Sequence, residues 1–409
     1  MPVAARRGLG VGMVGYAFMG AAHSHAWRTA GRFFDLPLAP ELAALCGRSR
    51  AEVADAAERM GWRAVETDWK ALLARDDVEL VDICSPGDTH ADIAIAALDA
   101  GKHVLCEKPL ANTVDEARAM AAAAQRAAAR GVRSMVGFSY RRVPALALAR
   151  RLVAAGRIGE VRHVRAVYLQ DWIVDPEFPL VWRLRREAAG SGALGDIGAH
   201  IVDMAQYLTG DVLTGVNALT ETFVRERPLP VAAAGLSGSA AGRSDGGSES
   251  AAGGSNGAGR GAVTVDDAAL FVGRFAGGAL ASFEATRFAT GRKNALRIEL
   301  NGSRGSLAFD LEALNELEFY DGTEDADTAG FRRILVTEPT HPYLAAWWPP
   351  GHLIGYEHTF THQAADLVND IAADRDPVPS FADGLRVQLV LDAVQRSAAT
   401  GGGWAPIPD

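Results

Sequence analysis

Apolar positions fall into two regimes along the chain. Up to residue 138, short apolar runs of strand length alternate with stretches of helical composition. Leu9, Val11, Met13 and Val14 make the first run. Further strands are expected over 41–47, 79–84, 102–106 and 132–138, with helices over 51–60, 91–99 and 114–130 between them. Strands that alternate with helices predict a mostly parallel sheet covered on both faces.

Beyond 138 the pattern changes. Residues 144–155 and 195–208 read as helices and 160–171 as a strand. Strands over 212–225, 267–275, 279–286, 296–301 and 306–310 follow, several joined by glycine turns such as Phe275-Ala276-Gly277-Gly278-Ala279. Consecutive hairpins predict a largely antiparallel sheet, one face of which can stay open for a partner subunit. Helices over 357–374 and 383–398 end the chain. The expected division is an N-terminal domain, 1–138, and an α+β domain, 139–409. Residues 232–261 are rich in Gly, Ser and Ala and nearly free of large apolar side chains. Such a stretch buries too little surface to offset its ordering entropy. It reads as a flexible insertion, with the sheet resuming at Val263.

The first strand runs into Gly15-Tyr16-Ala17-Phe18-Met19-Gly20 and then a helix-compatible segment. Strand, glycine turn and helix in that order begin a dinucleotide-binding βαβ unit. Gly15 permits the sharp turn and Gly20 close helix–strand packing. Ala17, Phe18 and Met19 lie where a pyrophosphate meets the free N–H groups of the helix start. Arg6-Arg7 before an apolar run also looks like a twin-arginine signal peptide; the downstream nucleotide-binding pattern and three cysteines near strand ends favour a cytoplasmic protein. The chain has 409 residues, 48% hydrophobic and 22% charged, ordinary for a globular enzyme of two domains. Its net charge of −9 argues against nucleic acid and anionic membranes as partners. No apolar stretch reaches the roughly 18 residues of a membrane span.

Three more segments carry candidate chemistry. Cys106-Glu107-Lys108-Pro109 follows a strand, at the end of a parallel sheet where ligands bind. Lys108 there donates to a substrate oxygen, or is a solvated turn residue. In Gly195-Asp196-Ile197-Gly198-Ala199-His200, Asp196 and His200 are four positions apart, so on a helix both share a face. His200 suits removal of a hydroxyl proton near neutrality, with Asp203 placed to steady the ring. The alternative is a helix cap and a structural histidine. Asp-x3-His-x2-Asp also offers three metal ligands, a reading with no supporting context. Ser85-Pro86-Gly87-Asp88-Thr89-His90, again at a strand end, is either a coenzyme-facing turn or the start of the next helix. His358 and His362 read as a solvated helix face. The second strand ends in Gly47-Arg48-Ser49 without the acid that usually holds the ribose hydroxyls of NAD. Arg48 leaves room for the 2′-phosphate of NADP.

Together these segments resemble the Gfo/Idh/MocA family of oxidoreductases over nearly the whole chain. That resemblance implies a Rossmann domain followed by an open-sheet domain, usually in dimers or tetramers. It implies a catalytic set of Lys108, Asp196 and His200, with hydride passing to a nicotinamide. Gly15, Ala17, Phe18, Met19, Gly20, Arg48, Ser85, Pro86, His90, Glu107 and Lys108 are the expected contacts of NAD(H) or NADP(H). The chain departs from the pattern at Ala17, which replaces a Gly, and at Gly87, where Asn is common. Tyr168-Leu169-Gln170-Asp171-Trp172, Gly190–Asp196 and His341-Pro342-Tyr343 most resemble sugar dehydrogenases of the levoglucosan-oxidising type. Lys108, Tyr140, Gln170, Trp172, Arg183, Asp196 and His200 are then expected to bind a sugar, anhydrosugar or cyclitol. An NAD-dependent glycosidase and a non-catalytic coenzyme-bound sensor are the alternatives on the same fold.

Overall fold

The computed structural model describes residues 6–230 and 259–408. They divide into two compact units: residues 6–139 with Tyr356–Leu385, and residues 140–230, 259–355 and 386–408.

The first unit holds six parallel strands: β1 (Gly8–Val14), β2 (Ala39–Cys46), β3 (Ala64–Glu66), β4 (Leu80–Ile83), β5 (His103–Cys106) and β6 (Ser134–Val136). Their order is β3-β2-β1-β4-β5-β6, all in parallel register. The expected parallel sheet is therefore present, and its order reverses between β1 and β4, the point where such sheets bind nucleotides. The apolar run behind Arg6-Arg7 is central strand β1. Helices α1 (Phe18–Phe33), α2 (Arg50–Met60), α3 (Trp69–Leu73), α4 (His90–Asp99) and α5 (Val114–Ala128) cover the sheet. The three-residue β3 and five-residue α3 escaped the sequence reading because neither is long enough to show a period.

In the second unit, α6 (Pro144–Ala154) precedes β7 (Val161–Leu169), α7 (Arg186–Ala189), a π-helical turn over Leu194–Gly198, and α8 (Ala199–Thr209). The remaining strands are β8 (Leu213–Glu221), β9 (Glu226–Pro228), β10 (Arg260–Ala262), β11 (Ala268–Phe275), β12 (Leu280–Thr286), β13 (Ala295–Gly302), β14 (Gly305–Asp310), β15 (Glu316–Asp321), β16 (Arg332–Leu335) and β17 (Ala405–Pro406). Nine of them form one sheet in the order β16-β15-β14-β13-β7-β12-β11-β8-β17. It is antiparallel except where β12 runs parallel to β7. Most of the expected insertion lies outside the described residues. Its far end does not return directly to this sheet: Arg260–Ala262 pairs with Glu226–Pro228 in a separate two-stranded ribbon.

Two late helices follow, α9 (Tyr356–Ala372) and α10 (Phe381–Ala399). The sequence placed them in the second domain, yet residues 356–385 pack with the first unit. Phe360, Ala364, Leu367 and Val368 of α9 join one core with Ala26, Trp27 and Ala30 of α1. This corrects the reading of His362, which is fully buried with its ring edge-on to Phe34 at 5.8 Å. The i, i+4 spacing of His358 and His362 did not reveal that α9 has a covered face on both sides of its apolar stripe. Among the described residues no helix is long and apolar enough to cross a membrane.

Phe360 is 2% exposed in that shared core. Phe360→Ala is expected to cost about 3–5 kcal/mol of stability. Urea denaturation followed by Trp fluorescence measures it, and an unchanged midpoint would show that α9 is not part of the core.

Candidate active site

In the first unit the glycine turn is built as its sequence requires. Gly15 has φ +103°, and a Cβ on it would lie 2.7 Å from the Cys84 carbonyl oxygen. A Cβ on Gly20 would lie 2.3 Å from the Gly15 oxygen, so α1 packs on the turn only because residue 20 lacks one. Ala17 needs no such freedom, since its φ is −73°. The first turn of α1, which Phe18 and Met19 open, has no acidic residue and no side-chain cap. Its N–H groups face outward at the positive end of the helix dipole, a cradle for a diphosphate.

At the end of β2 the Tyr16 ring packs against Gly47, where a Cβ would be 2.0 Å from its Cε1. The Tyr16 hydroxyl donates to Glu52 Oε2 at 2.8 Å. Burial and that carboxylate push the phenol up to about 12. A carboxylate from α2 thus stands near the end of β2, close to the exposed Arg48. Sequence reasoning overlooked Glu52, although Ser49-Arg50-Ala51-Glu52 has capping-box spacing and Ser49 does cap α2.

The loops after β4 and β5 are tied together by His90. Its Nε2 lies 2.9 Å from the Ser85 oxygen and its Nδ1 3.1 Å from the Pro109 oxygen. His90, expected as a coenzyme contact, is 2% exposed and anchors the Ser85-Pro86 loop. The Ser85 and Thr89 hydroxyls bond at 2.6 Å. At Gly87 the space of a side chain is taken by the Asn112 carboxamide, whose oxygen is 2.4 Å from where a Cβ would be. Lys108 is half-buried just past β5, and the Lys108–Pro109 peptide is cis. Glu107 Oε2 accepts the Lys108 N–H at 3.2 Å.

Behind this turn is a buried ionic cluster. His23 Nδ1 lies 2.9 and 3.0 Å from the Asp82 oxygens, and its Nε2 lies 3.1 Å from Glu107 Oε1. The Trp27 indole donates to Asp82 Oδ2 at 2.7 Å. Burial, the largest single influence, lowers the His23 pKa, but the Asp82 and Cys84 charges and the hydrogen bonds to them together outweigh it and hold the imidazole well above its usual range. His23, Asp82 and Cys84 have ligand atoms within 4.8 Å of one another, as in a metal site; the contacts between His23 and Asp82 have hydrogen-bond length. Burial raises the Cys46, Cys84 and Cys106 thiols, which makes them poor nucleophiles.

In the second unit the π-helical turn carries Asp196 and runs straight into α8, which carries His200. The turn is pinned at its start by Asp266. That carboxylate accepts the Gly192 N–H at 2.7 Å and the Leu194 N–H at 2.8 Å, and a Cβ on Gly192 would lie 1.7 Å from the Asp266 oxygen. Arg287, with no exposed surface, donates to the Asp266 carbonyl at 3.1 Å. Its Nη1 comes within 3.7 Å of Asp196 Oδ2, and its guanidinium lies 5.5 Å from the Trp172 ring centre. Asp203, read from sequence as a support for His200, has its carboxylate engaged by Arg141 Nε at 2.9 and 3.1 Å.

The His200 ring packs 4.6 Å from Tyr140 and 5.9 Å from Tyr168. From there a chain of neutral polar groups extends along β7. Tyr140 and Tyr168 hydroxyls bond at 2.9 Å, and Tyr168 donates to Asn294 Oδ1 at 2.8 Å. Gln170 Nε2 donates to the same oxygen at 2.7 Å, and Trp172 Nε1 to Gln170 Oε1 at 3.1 Å. Tyr140, Gln170, Trp172 and His200 were expected together and are joined by this chain. Asn294 and Arg287 were not foreseen, because each is remote in sequence and neither sits in a motif. Arg183 stacks on Trp182 at 4.5 Å. An imidazole against phenols, beside a carboxylate backed by a guanidinium, suits proton removal from a hydroxyl-rich neutral ligand.

Two family models match the chain. Residues 9–138 match the oxidoreductase family with NAD-binding Rossmann fold, and residues 146–308 the GFO/IDH/MocA C-terminal domain. Levoglucosan dehydrogenase of Pseudarthrobacter phenanthrenivorans is 42% identical over 402 residues, 98% of each chain. An oxidoreductase domain protein from Kribbella flavida matches with a TM-score of 0.90 at 64% identity, over 98% of this chain and 100% of that one. Levoglucosan dehydrogenase in complex with NADH and levoglucosan matches with a TM-score of 0.89 at 40% identity, over 98% and 100%.

Proposed function

The chain belongs to the GFO/IDH/MocA oxidoreductase family, and from that premise we propose that it oxidises a secondary hydroxyl of a levoglucosan-like anhydrosugar by hydride transfer to NAD. It is an NAD-dependent oxidoreductase of sugars or related cyclitols. The observation that carries the finer reading is the run Tyr140–Tyr168–Asn294–Gln170–Trp172 beside His200. It offers a compact polyol hydroxyl partners and one indole face, without requiring a charge on the substrate.

NAD fits the first unit: the Gly15–Gly20 turn and the uncapped start of α1 would hold its diphosphate, and Ser85, Pro86 and Glu107–Lys108 would meet its nicotinamide half. When bound it supplies the hydride acceptor. The chain's own groups do the rest. His200 takes the proton of the hydroxyl being oxidised. Lys108 donates to that oxygen and stabilises its developing charge. Asp196, paired with Arg287 at 3.7 Å, accepts a neighbouring hydroxyl and fixes which carbon reacts. Gln170, Trp172, Tyr140 and Arg183 orient the ring.

Lys108→Ala and His200→Ala are each expected to lower kcat with levoglucosan by about 10²–10⁴-fold, while NADH titrated by fluorescence binds within a few-fold of wild type. Retained turnover in both overturns the assignment.

Glu52 supports NAD over NADP, since its carboxylate lies where a 2′-phosphate would bring more negative charge. Glu52→Gln should improve the NADP/NAD ratio of kcat/KM by about tenfold. An unchanged ratio removes Glu52 as the reader and leaves Arg48.

The outer face of the nine-stranded sheet exposes Leu219, Leu270, Val272 and Leu280 on β8, β11 and β12. An apolar patch on a sheet face supports a homodimer or homotetramer joined there, and three unpaired cysteines support residence in the cytoplasm. A monomeric mass by light scattering, or recovery in a periplasmic fraction, overturns that pair of assignments.

A further inference from the structure

The cluster behind Glu107 has no part in the chemistry above, yet it is among the most buried groups of polar atoms in the first unit. His23 is 1% exposed, Asp82 fully enclosed and Glu107 4% exposed. Phe360 of α9 closes over the imidazole at 5.4 Å. Burying two carboxylates around one imidazole is expensive, and apolar side chains of the same volume would give equal or better stability. The geometry says where the arrangement is used. Glu107 is fixed at three points: His23 holds Oε1, the Lys108 N–H holds Oε2, and Gly137 leaves the only room for the carboxylate, since a Cβ there would lie 2.5 Å from Oε1. On its other side His23 is gripped by both Asp82 oxygens, and Asp82 by the Trp27 indole. Hydrogen bonds therefore run unbroken from the middle of α1, through β4, to the backbone of residue 108.

We propose that His23 is a positioning residue for Lys108: it orients the Glu107 carboxylate so that Oε2 holds the Lys108 N–H and aims the ammonium that follows. The proposal rests on the reading of Lys108 as a catalytic group, and goes beyond it. The groups facing His23 are Asp82 from β4, Cys84 just after it, Glu107 after β5 and Phe360 from α9, with Trp27 of α1 bonded to Asp82 behind. In them an imidazolium balances one of the two carboxylates and keeps the second within reach of the turn. A neutral amide at position 23 reaches only one carboxylate at a time, so Glu107 swings free.

His23→Gln in the full-length protein tests this by two readouts. Amide hydrogen exchange at Lys108 should rise at least tenfold, while amides in α2 and in the second unit stay protected; a general loss of stability would raise them all. With NAD and levoglucosan, kcat should fall on the order of 10²-fold with KM for NAD within a few-fold. Combined with Lys108→Ala, His23→Gln should cost little more than Lys108→Ala alone, because both act on one group. Unchanged exchange at Lys108, or losses that simply multiply in the double variant, overturns the proposal and leaves Lys108 catalytic. A Lys108→Ala enzyme with full activity refutes the catalytic reading instead, and the exchange measurement still decides whether His23 holds the turn. If His23→Gln does not fold, Glu107→Leu, which leaves His23 and Asp82 as a closed pair, is measured in the same way; protection of Lys108 at the wild-type level then overturns the proposal.

Discussion

The approach of α1 to the end of β1, with nothing between Gly20 and the Gly15 carbonyl, is the contact on which the first unit depends. A Cβ there would sit at 2.3 Å, inside any real contact distance. Because α1 can come so close, its positive end meets the strand ends where the sheet order reverses, and an anion placed there is held by backbone alone. The same approach carries His23, Ser24 and Trp27 into the sheet, where Asp82 and the Ser24–Trp62 contact receive them. α9 returns from far along the chain to pack on the same helix, with Phe360 against the His23 ring. Coenzyme cradle and buried ionic cluster thus follow from one missing methyl group.

What could be read from the sequence was what local periodicity and turn chemistry encode. The six-strand nucleotide fold was legible from alternating apolar runs, with only the three-residue β3 lost. Gly15 and Gly20 were legible because their roles are steric and local. Lys108, Asp196 and His200 were legible as short motifs. Partners brought in from a distance were not. The Tyr16–Glu52 contact was hidden because an acid was sought at the end of β2, not on the next helix. Arg287 and Asp266 fix the turn bearing Asp196 but lie beyond the insertion in sequence, and nothing in their neighbours marks them. His362 looked like a surface residue because its cover, Phe34, is over three hundred positions away.

In the second unit the described chain on either side of the insertion is tied together. The described chain departs at Pro230 and returns at Gly259, and its two sides are fastened by the β9–β10 ribbon and by the Leu229 N–H on the Gly259 oxygen at 2.9 Å. The ribbon is fastened in turn by Arg227, fully buried, which donates to the carbonyls of Ile173 at 2.6 Å and Asp175 at 2.7 Å. Those carbonyls belong to the loop that follows Trp172. A buried guanidinium costs much free energy unless carbonyls and acids replace its water. Burial accordingly lowers the Arg227 pKa and raises that of Asp267 close by. Loop-closure entropy grows only slowly with length, so with the two sides joined by the β9–β10 ribbon the number of residues between them matters little to the cost of bringing them together. Arg287 does for the Asp196 turn what Arg227 does for this loop. Two buried cations, each answered by carbonyls and carboxylates from separate segments, hold the Asp196 turn and the loop after Trp172 in place.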